Sequence, residues 1–137
     1  MRGVEIYQGH PIFYGLGNLF FNDLAVVQPA ERYHEFNLKG DVDPLALAKE
    51  IRKAREFEED IFWEGLMATV VIDEQSVSVE LFALDLRGSH PALVGLPTLA
   101  QGDKRTRVLE RVARLSKTLE GPAITIPSAG PAVISIS

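Results

Sequence analysis

The first twenty-one residues, M-R-G-V-E-I-Y-Q-G-H-P-I-F-Y-G-L-G-N-L-F-F, narrow the fold more than any other segment. Val4 to Tyr7 and Ile12 to Tyr14 are short runs of β-branched and aromatic residues, side chains that suit a pleated, half-buried surface. Gly9-His10-Pro11 lies between them and reads as the turn of a tight hairpin. A second glycine turn, Gly15-Leu16-Gly17-Asn18, leads into the apolar Leu19-Phe20-Phe21. Within the first run Glu5 alternates with Val4 and Ile6, which places it on the wet face of its strand.

The rest of the chain continues the mixture of strands and helices. Residues 23–40 read as an irregular excursion. Asp43-Pro44 then opens a helix, with Asp43 as N-cap and Pro44 in the first turn, and Leu45, Ala48, Ile51 and Arg55 share one stripe of it. Leu66 to Ile72 is β-rich, and Asp73-Glu74-Gln75 is a turn. Val77, Val79, Leu81 and Ala83 then alternate with Ser78, Glu80 and Phe82, the pattern of a strand with one wet face. Residues 86–102 are rich in glycine and proline and read as loop. Asp103 caps a second helix to about Leu119, with Val108, Leu109, Val112, Leu115 and Leu119 on its core face, and Gly121-Pro122 stops it. Ile124 to Ile126 and Val133 to Ile136 form a last hairpin. The order ββ-α-ββ-α-ββ predicts an α+β fold: three β-hairpins with two intervening helices, mostly antiparallel.

The pattern G-V-E-I-Y-x-G-x-P-I-F-Y-x-L-G-N-L-x-F over Gly3 to Phe21 resembles the C-terminal part of the CapA-type capsule and poly-γ-glutamate synthesis proteins, members of the calcineurin-like metallophosphoesterases. Weaker similarities follow in the family's order: Phe62-Trp63-Glu64-Gly65-Leu66, the two-strand unit ending in Leu84-Asp85-Leu86, Gly95-Leu96-Pro97-Thr98-Leu99-Ala100, and V-L-E-R-V-A-R-L-S from Val108 to Ser116. The resemblance implies that residues 1–22 are a hairpin belonging to a metallophosphoesterase-like αββα sandwich. Residues 23–137 would be the family's C-terminal extension, packed with that hairpin as a single globular unit. In the family a late His motif lies just upstream of this hairpin, so the chain is expected to begin in the middle of the complete fold. Any signal or anchor of the complete protein would then lie outside these residues.

A two-metal phosphoesterase holds two cations about 3.5–4 Å apart to clamp the attacking and leaving oxygens. The resemblance implies a divalent metal pair for the complete protein, bound by Asp-x-His, Gly-Asp, Asn-His and late His motifs, and a phosphoester or anionic-polymer substrate. Asp-x-His, Asn-His and the late His motif do not occur here, and the Gly-Asp pairs at Gly40-Asp41 and Gly102-Asp103 have no histidine beside them. His10, His34 and His90 are isolated in sequence, so no metal ligands and no cofactor are assigned to this chain. Two residues are expected on the active-site side of the complete fold. Asn18 follows a strand, although its plainer reading is an Asn satisfying its own tight turn. Glu5 could support a metal-ligating His from beyond the first shell. Trp63 reads as a core anchor.

Arg107, Arg111 and Arg114 fall on one stripe of the second helix and are candidates for binding an anion. With no aromatic interleaving, a net charge of −5 and a sequence pI near 5.2, a nucleic-acid partner is not expected. The absence of cysteine excludes a disulfide framework and a Cys nucleophile within these residues, and no run of about 18 apolar residues is present. Two readings result. In one, the chain is the C-terminal portion of a CapA-type protein and is inactive alone. In the other, it is a stand-alone assembly module that homodimerises through its N-terminal hairpin, using the edge and the apolar face around Ile12, Tyr14, Leu19 and Phe20.

Overall fold

A computed structural model describes residues 1–20, 30–37, 47, 50, 59–74, 76–88 and 93–136. The Asp43-Pro44 helix start, the stripe of Leu45, Ala48, Ile51 and Arg55, and His90 lie outside the described residues. Leu47 and Glu50 are helical. The described residues form an α+β fold with antiparallel sheets.

Strands β1 (Val4–Tyr7) and β2 (His10–Phe13) pair with Val4 opposite Phe13 and Tyr7 opposite His10. Their turn is Gln8–Gly9, with φ of 49° and 77°, so His10 and Pro11 belong to the strand rather than to the turn. Two successive left-handed residues match the twist of paired strands, which shifts the turn toward the N-terminus. In such a hairpin the pair flanking the turn is the hydrogen-bonded one. The next pair, Ile6–Pro11, is therefore unbonded and tolerates the missing proline N–H.

Ala30–Glu35 is a six-residue helix, α1, where an irregular excursion was expected. A 3₁₀ turn at Asp60–Trp63 then leads into β3 (Glu64–Ile72), which pairs with β4 (Val77–Asp85) over nine residue pairs. Asp73 closes the turn between them by accepting from the Ser76 amide (2.7 Å) and hydroxyl (2.8 Å). β4 is the central strand. Its other edge carries β6 (Ala132–Ile136) along Val77–Leu81 and the two-residue β5 (Thr98–Leu99) at Leu84–Asp85. The expected last hairpin is present as one bridge, Thr125–Val133, while the long ladder of β6 runs to β4. Pro122, Pro127 and Pro131 remove donors from the 122–131 segment, so only β4 offers β6 a continuous partner.

The period-two alternation gives this sheet two packed faces. Leu66, Val79, Leu81 and Ala83 line the inner face, joined by Ala132 and Ile134, and α2 (Gly102–Lys117) covers it with Val108, Leu109 and Val112. On the outer face Trp63, Leu84 and Leu86 meet Leu47, so Trp63 is a core residue as expected. The N-cap of α2 is Gln101, without a side-chain hydrogen bond. Asp103 stands in the first turn instead, because the helix begins one residue earlier than the expected cap.

The hairpin is tied to the end of α2. Ser116, fully buried, accepts a hydrogen bond from the Val4 amide (2.9 Å) and donates to the Val112 carbonyl (2.9 Å). A Cβ on Gly3 would stand 2.7 Å from the Leu115 carbonyl, so only glycine lets strand and helix approach this closely. Ser116→Ala leaves the Val4 N–H buried without its partner and should lower the unfolding free energy by about 1–3 kcal/mol in a urea titration. A change within error would show that this contact does not hold the hairpin in place.

Candidate functional site

The densest polar arrangement among the described residues lies where β3 begins and β4 ends. Glu64 and Asp85 are register partners, side by side on the inner face of the sheet. α2 passes over them and offers cations at helical spacing. Lys104 Nζ lies 2.6 Å from Asp85 Oδ2. Arg107 donates to Glu64 Oε1 through Nη2 (2.9 Å) and Nε (3.3 Å), and Arg111 Nη1 donates to Glu64 Oε2. The Glu64 side chain has no solvent exposure, so both of its oxygens depend on these arginines. Arg107 Nη2 also reaches Asp60 Oδ2 (3.0 Å), and Asp60 Oδ1 takes Arg87 Nη2 (3.2 Å). The Arg87 guanidinium stands 5.9 Å from the centre of the Trp63 ring. The hydrogen bond to Glu64, reinforced by the charges of Glu64 and Asp60, raises the pKa of Arg107 and keeps it protonated.

An open depression bordered by Glu59, Asp60, Ile61, Arg107 and Arg111 lies over this cluster. Its chemistry is that of a pairing site. Arg107 and Arg111 spend their donors on carboxylates of the same chain, and the pairing fixes the helix against the sheet. The third arginine of the stripe, Arg114, is exposed and joins no ion pair among the described residues. The expected anion-binding stripe is therefore divided: two members face inward to Glu64 and one faces water.

Glu5 is on the outer face of the hairpin and accepts a hydrogen bond from the Tyr14 hydroxyl (2.5 Å). That bond, with the Glu5 charge, raises the Tyr14 pKa. Asn18 does not take a left-handed turn conformation. Its contribution is through the backbone: a Cβ on Gly65 would stand 2.6 Å from the Asn18 carbonyl oxygen, so residues 16–18 lie directly against the start of β3. Glu5, Asn18 and the arginines are on separate elements. His10 and His34 are exposed. Among the described residues no group of three or more His, Cys, Asp or Glu is placed to hold a metal ion. The acids that do gather, Asp60, Glu64 and Asp85, are occupied by arginine and lysine, so the implied metal pair does not fit them. No described helix is long and apolar enough to cross a membrane.

Sequence reasoning found Arg107 and Arg111 but missed their partners Asp60, Glu64 and Asp85, and it missed Lys104 as a member of the cluster. The available signal was Glu64 itself, a charge in the otherwise apolar Phe62-Trp63-Glu64-Gly65-Leu66. A charged residue inside such a run requires a partner.

Glu64→Gln keeps the shape and removes the charge that Arg111 faces. It should cost about 3 kcal/mol in urea-induced unfolding, while Glu64→Leu combined with Arg111→Met should recover part of the loss. A loss below about 1 kcal/mol for Glu64→Gln would show that the pair does not hold α2 in place. For Tyr14, neutral hydroxyl favours the bond and tyrosinate is repelled by Glu5. The stabilisation is thus present below the ordinary tyrosine range and is lost as pH rises through the elevated value. In an ultraviolet alkaline titration one of the three tyrosines should ionise late, and Glu5→Gln should return it to the ordinary range.

Two uncharacterized proteins of Sinorhizobium fredii (strain NBRC 101917 / NGR234), y4sH and y4uA, are similar to this chain. Each is 33% identical over 141 residues, an alignment covering 92% of the chain and 30% of the relative. The chain thus spans about 30% of the length of the curated relatives it matches. No family model matches the sequence.

Proposed function

We propose that this chain is the C-terminal part of a CapA-type, metallophosphoesterase-like protein and is catalytically inactive by itself. The observation that carries this reading is the state of the motif-bearing hairpin. One face of β1–β2 is docked on α2 through Gly3, Val4 and Ser116, while the other leaves Tyr7 and Tyr14 half exposed. Among the described residues neither strand pairs with a further one. A lone two-stranded sheet is marginal in water, and these strands have the character of a piece of a larger sheet. That character accords with a chain matching 30% of its longer relatives.

In this reading the ion cluster at Glu64 braces the extension, and the hairpin carries Glu5 and Asn18 toward the active-site side of the complete protein. The divalent metals and the phosphoester or anionic-polymer substrate belong to ligands outside this chain. A second reading, a stand-alone module that homodimerises through the hairpin, draws on the exposure of Tyr14, Leu19 and Phe20.

The coding DNA in frame upstream of Met1, together with hydrolysis of a chromogenic phosphodiester in the presence of Mn²⁺, tests the first reading. An open frame carrying Asp-x-His and Asn-His motifs is expected. The extended protein should hydrolyse the diester and the 137-residue chain should not. A stop codon and ribosome-binding site immediately before Met1, or hydrolysis by the 137-residue chain, would overturn it.

A further inference from the structure

Among the described residues β3 is an edge strand. Its inner neighbour β4 pairs with it along the whole length. On its other side the described residues cover only the beginning, where the Leu66 amide donates to the Leu16 carbonyl (2.8 Å) and Gly17 bridges Gly65. From Met67 to Ile72 no described residue pairs with that edge. The bond from Leu66 to Leu16 fixes the phase of the strand. Ala68, Val70 and Ile72 direct their N–H and C=O groups to the open edge, while Met67, Thr69 and Val71 direct theirs to β4.

Four large apolar side chains of this strand are well exposed. Met67 is 41% exposed, Val70 39%, Val71 53% and Ile72 74%. Sheet edges are ordinarily kept from pairing by lysine, proline, a bulge or a covering loop. The run Met67-Ala68-Thr69-Val70-Val71-Ile72 has no charge and no proline, and its register with β4 is unbroken.

We propose that this edge pairs with the same edge of a second copy of the chain, antiparallel, about a two-fold axis through Val70. The register is set by the geometry. With Val70 opposite Val70 of the second copy, Ala68 falls opposite Ile72 of the second copy and the reverse holds. All three residues facing the open edge then use both their N–H and C=O groups. Sliding the strands by two residues in one direction drives Ile72 onto Leu66, which Leu16 already occupies. Sliding them the other way carries Ala68 past the turn at Asp73. A slip of one residue sets Val70, whose backbone groups face the open edge, against Val71, whose groups face β4, so the hydrogen bonds are lost and unlike faces are opposed. In the proposed register Val70, Ile72 and Ala68 of both copies share one side, extending the apolar inner face of the sheet. Two chains of net charge −5 repel in general, and this uncharged run is where they can approach. Asp73 falls opposite Met67, so no acid opposes an acid.

The chain has no cysteine, so one introduced thiol reports on one contact. Opposed residues of a hydrogen-bonded pair lie about 5.5 Å apart between Cα atoms, within disulfide reach. The two copies of residue 72 would be roughly 13 Å apart along the strand, beyond it. The expected result has three parts. Sedimentation velocity shows a concentration-dependent dimer of the 137-residue chain. Mild oxidation links Val70→Cys into a covalent dimer but not Ile72→Cys, although position 72 is the more exposed. Val70→Lys, which sets two ammonium groups face to face, is monomeric with an unchanged circular dichroism spectrum. A chain that stays monomeric across the concentration series overturns the proposal. So does Ile72→Cys linking as readily as Val70→Cys, or a dimer that persists in Val70→Lys, the outcome expected if the N-terminal hairpin were the interface.

Discussion

The placement of α2 on the sheet depends on a charge that has nowhere else to go. Glu64 begins β3 on the inner face, its side chain closed off from water, beside a second acid, Asp85. A carboxylate in that position is tolerated only if cations reach both of its oxygens. Arg107 and Arg111 do so one turn apart, and Lys104, one turn earlier, takes Asp85. Apolar burial of Val108, Leu109 and Val112 would hold the helix against the sheet in several translations. The charged contacts permit one. Once α2 is fixed lengthwise, its last turn is fixed as well, and that turn carries Ser116 and the close approach to Gly3. The position of the N-terminal hairpin is thus set by a residue sixty positions away from it.

The parts legible in the sequence were those governed by local periodicity. The alternation in Val77–Ala83 separates buried Val79, Leu81 and Ala83 from half-buried Ser78, Glu80 and Phe82, and the stripe of Val108, Leu109 and Val112 is the buried face of α2. Periodicity overreached at the end of that helix, where Leu119 follows the stripe but is 39% exposed beyond the last helical residue. It is silent about α1, because six residues contain too few turns to show a pattern. At the first turn, Gly-His-Pro has the stronger turn chemistry, yet Gln8 and Gly9 take the left-handed pair of conformations. Glutamine gives no advance sign of that. The partner of β6 and the carboxylates under Arg107 and Arg111 are long-range features, separated by roughly forty to sixty residues. No local pattern reports which distant acid an arginine will meet.

The ion cluster also bears on what the basic helix is for. A surface arginine stripe suggests an external anion, and a depression bordered by Arg107 and Arg111 adds to that impression. The bonding argues otherwise for two of the three residues. Their guanidinium groups already face Glu64, and an external phosphate or carboxylate at Arg107 would have to displace Asp60 or Glu64 from it. Displacing Glu64 would leave a buried charge unpaired, a larger penalty than a surface contact returns. Arg114 is the member of the stripe whose charge is not committed in this way among the described residues.

Two β surfaces are left without a described strand partner, and their chemistry differs. The outer face of β1–β2 alternates aromatic and polar groups, with Glu5, Tyr7, His10, Ile12 and Tyr14 on one side, and one of its hydroxyls is already committed to a carboxylate. Such a face suits a wet or mixed contact, because each polar group needs a specific complement. The open edge of β3 presents backbone donors and acceptors between methyl-bearing side chains. Its only stringent requirement is another strand, and a strand of the same sequence meets it. A neighbouring part of a longer chain would be expected to complete the first surface, where the required complement is particular. The second can be completed by symmetry alone, because the bond from the Leu66 amide to the Leu16 carbonyl at one end and the Asp73 turn at the other leave a window centred on Val70 that no described residue pairs with.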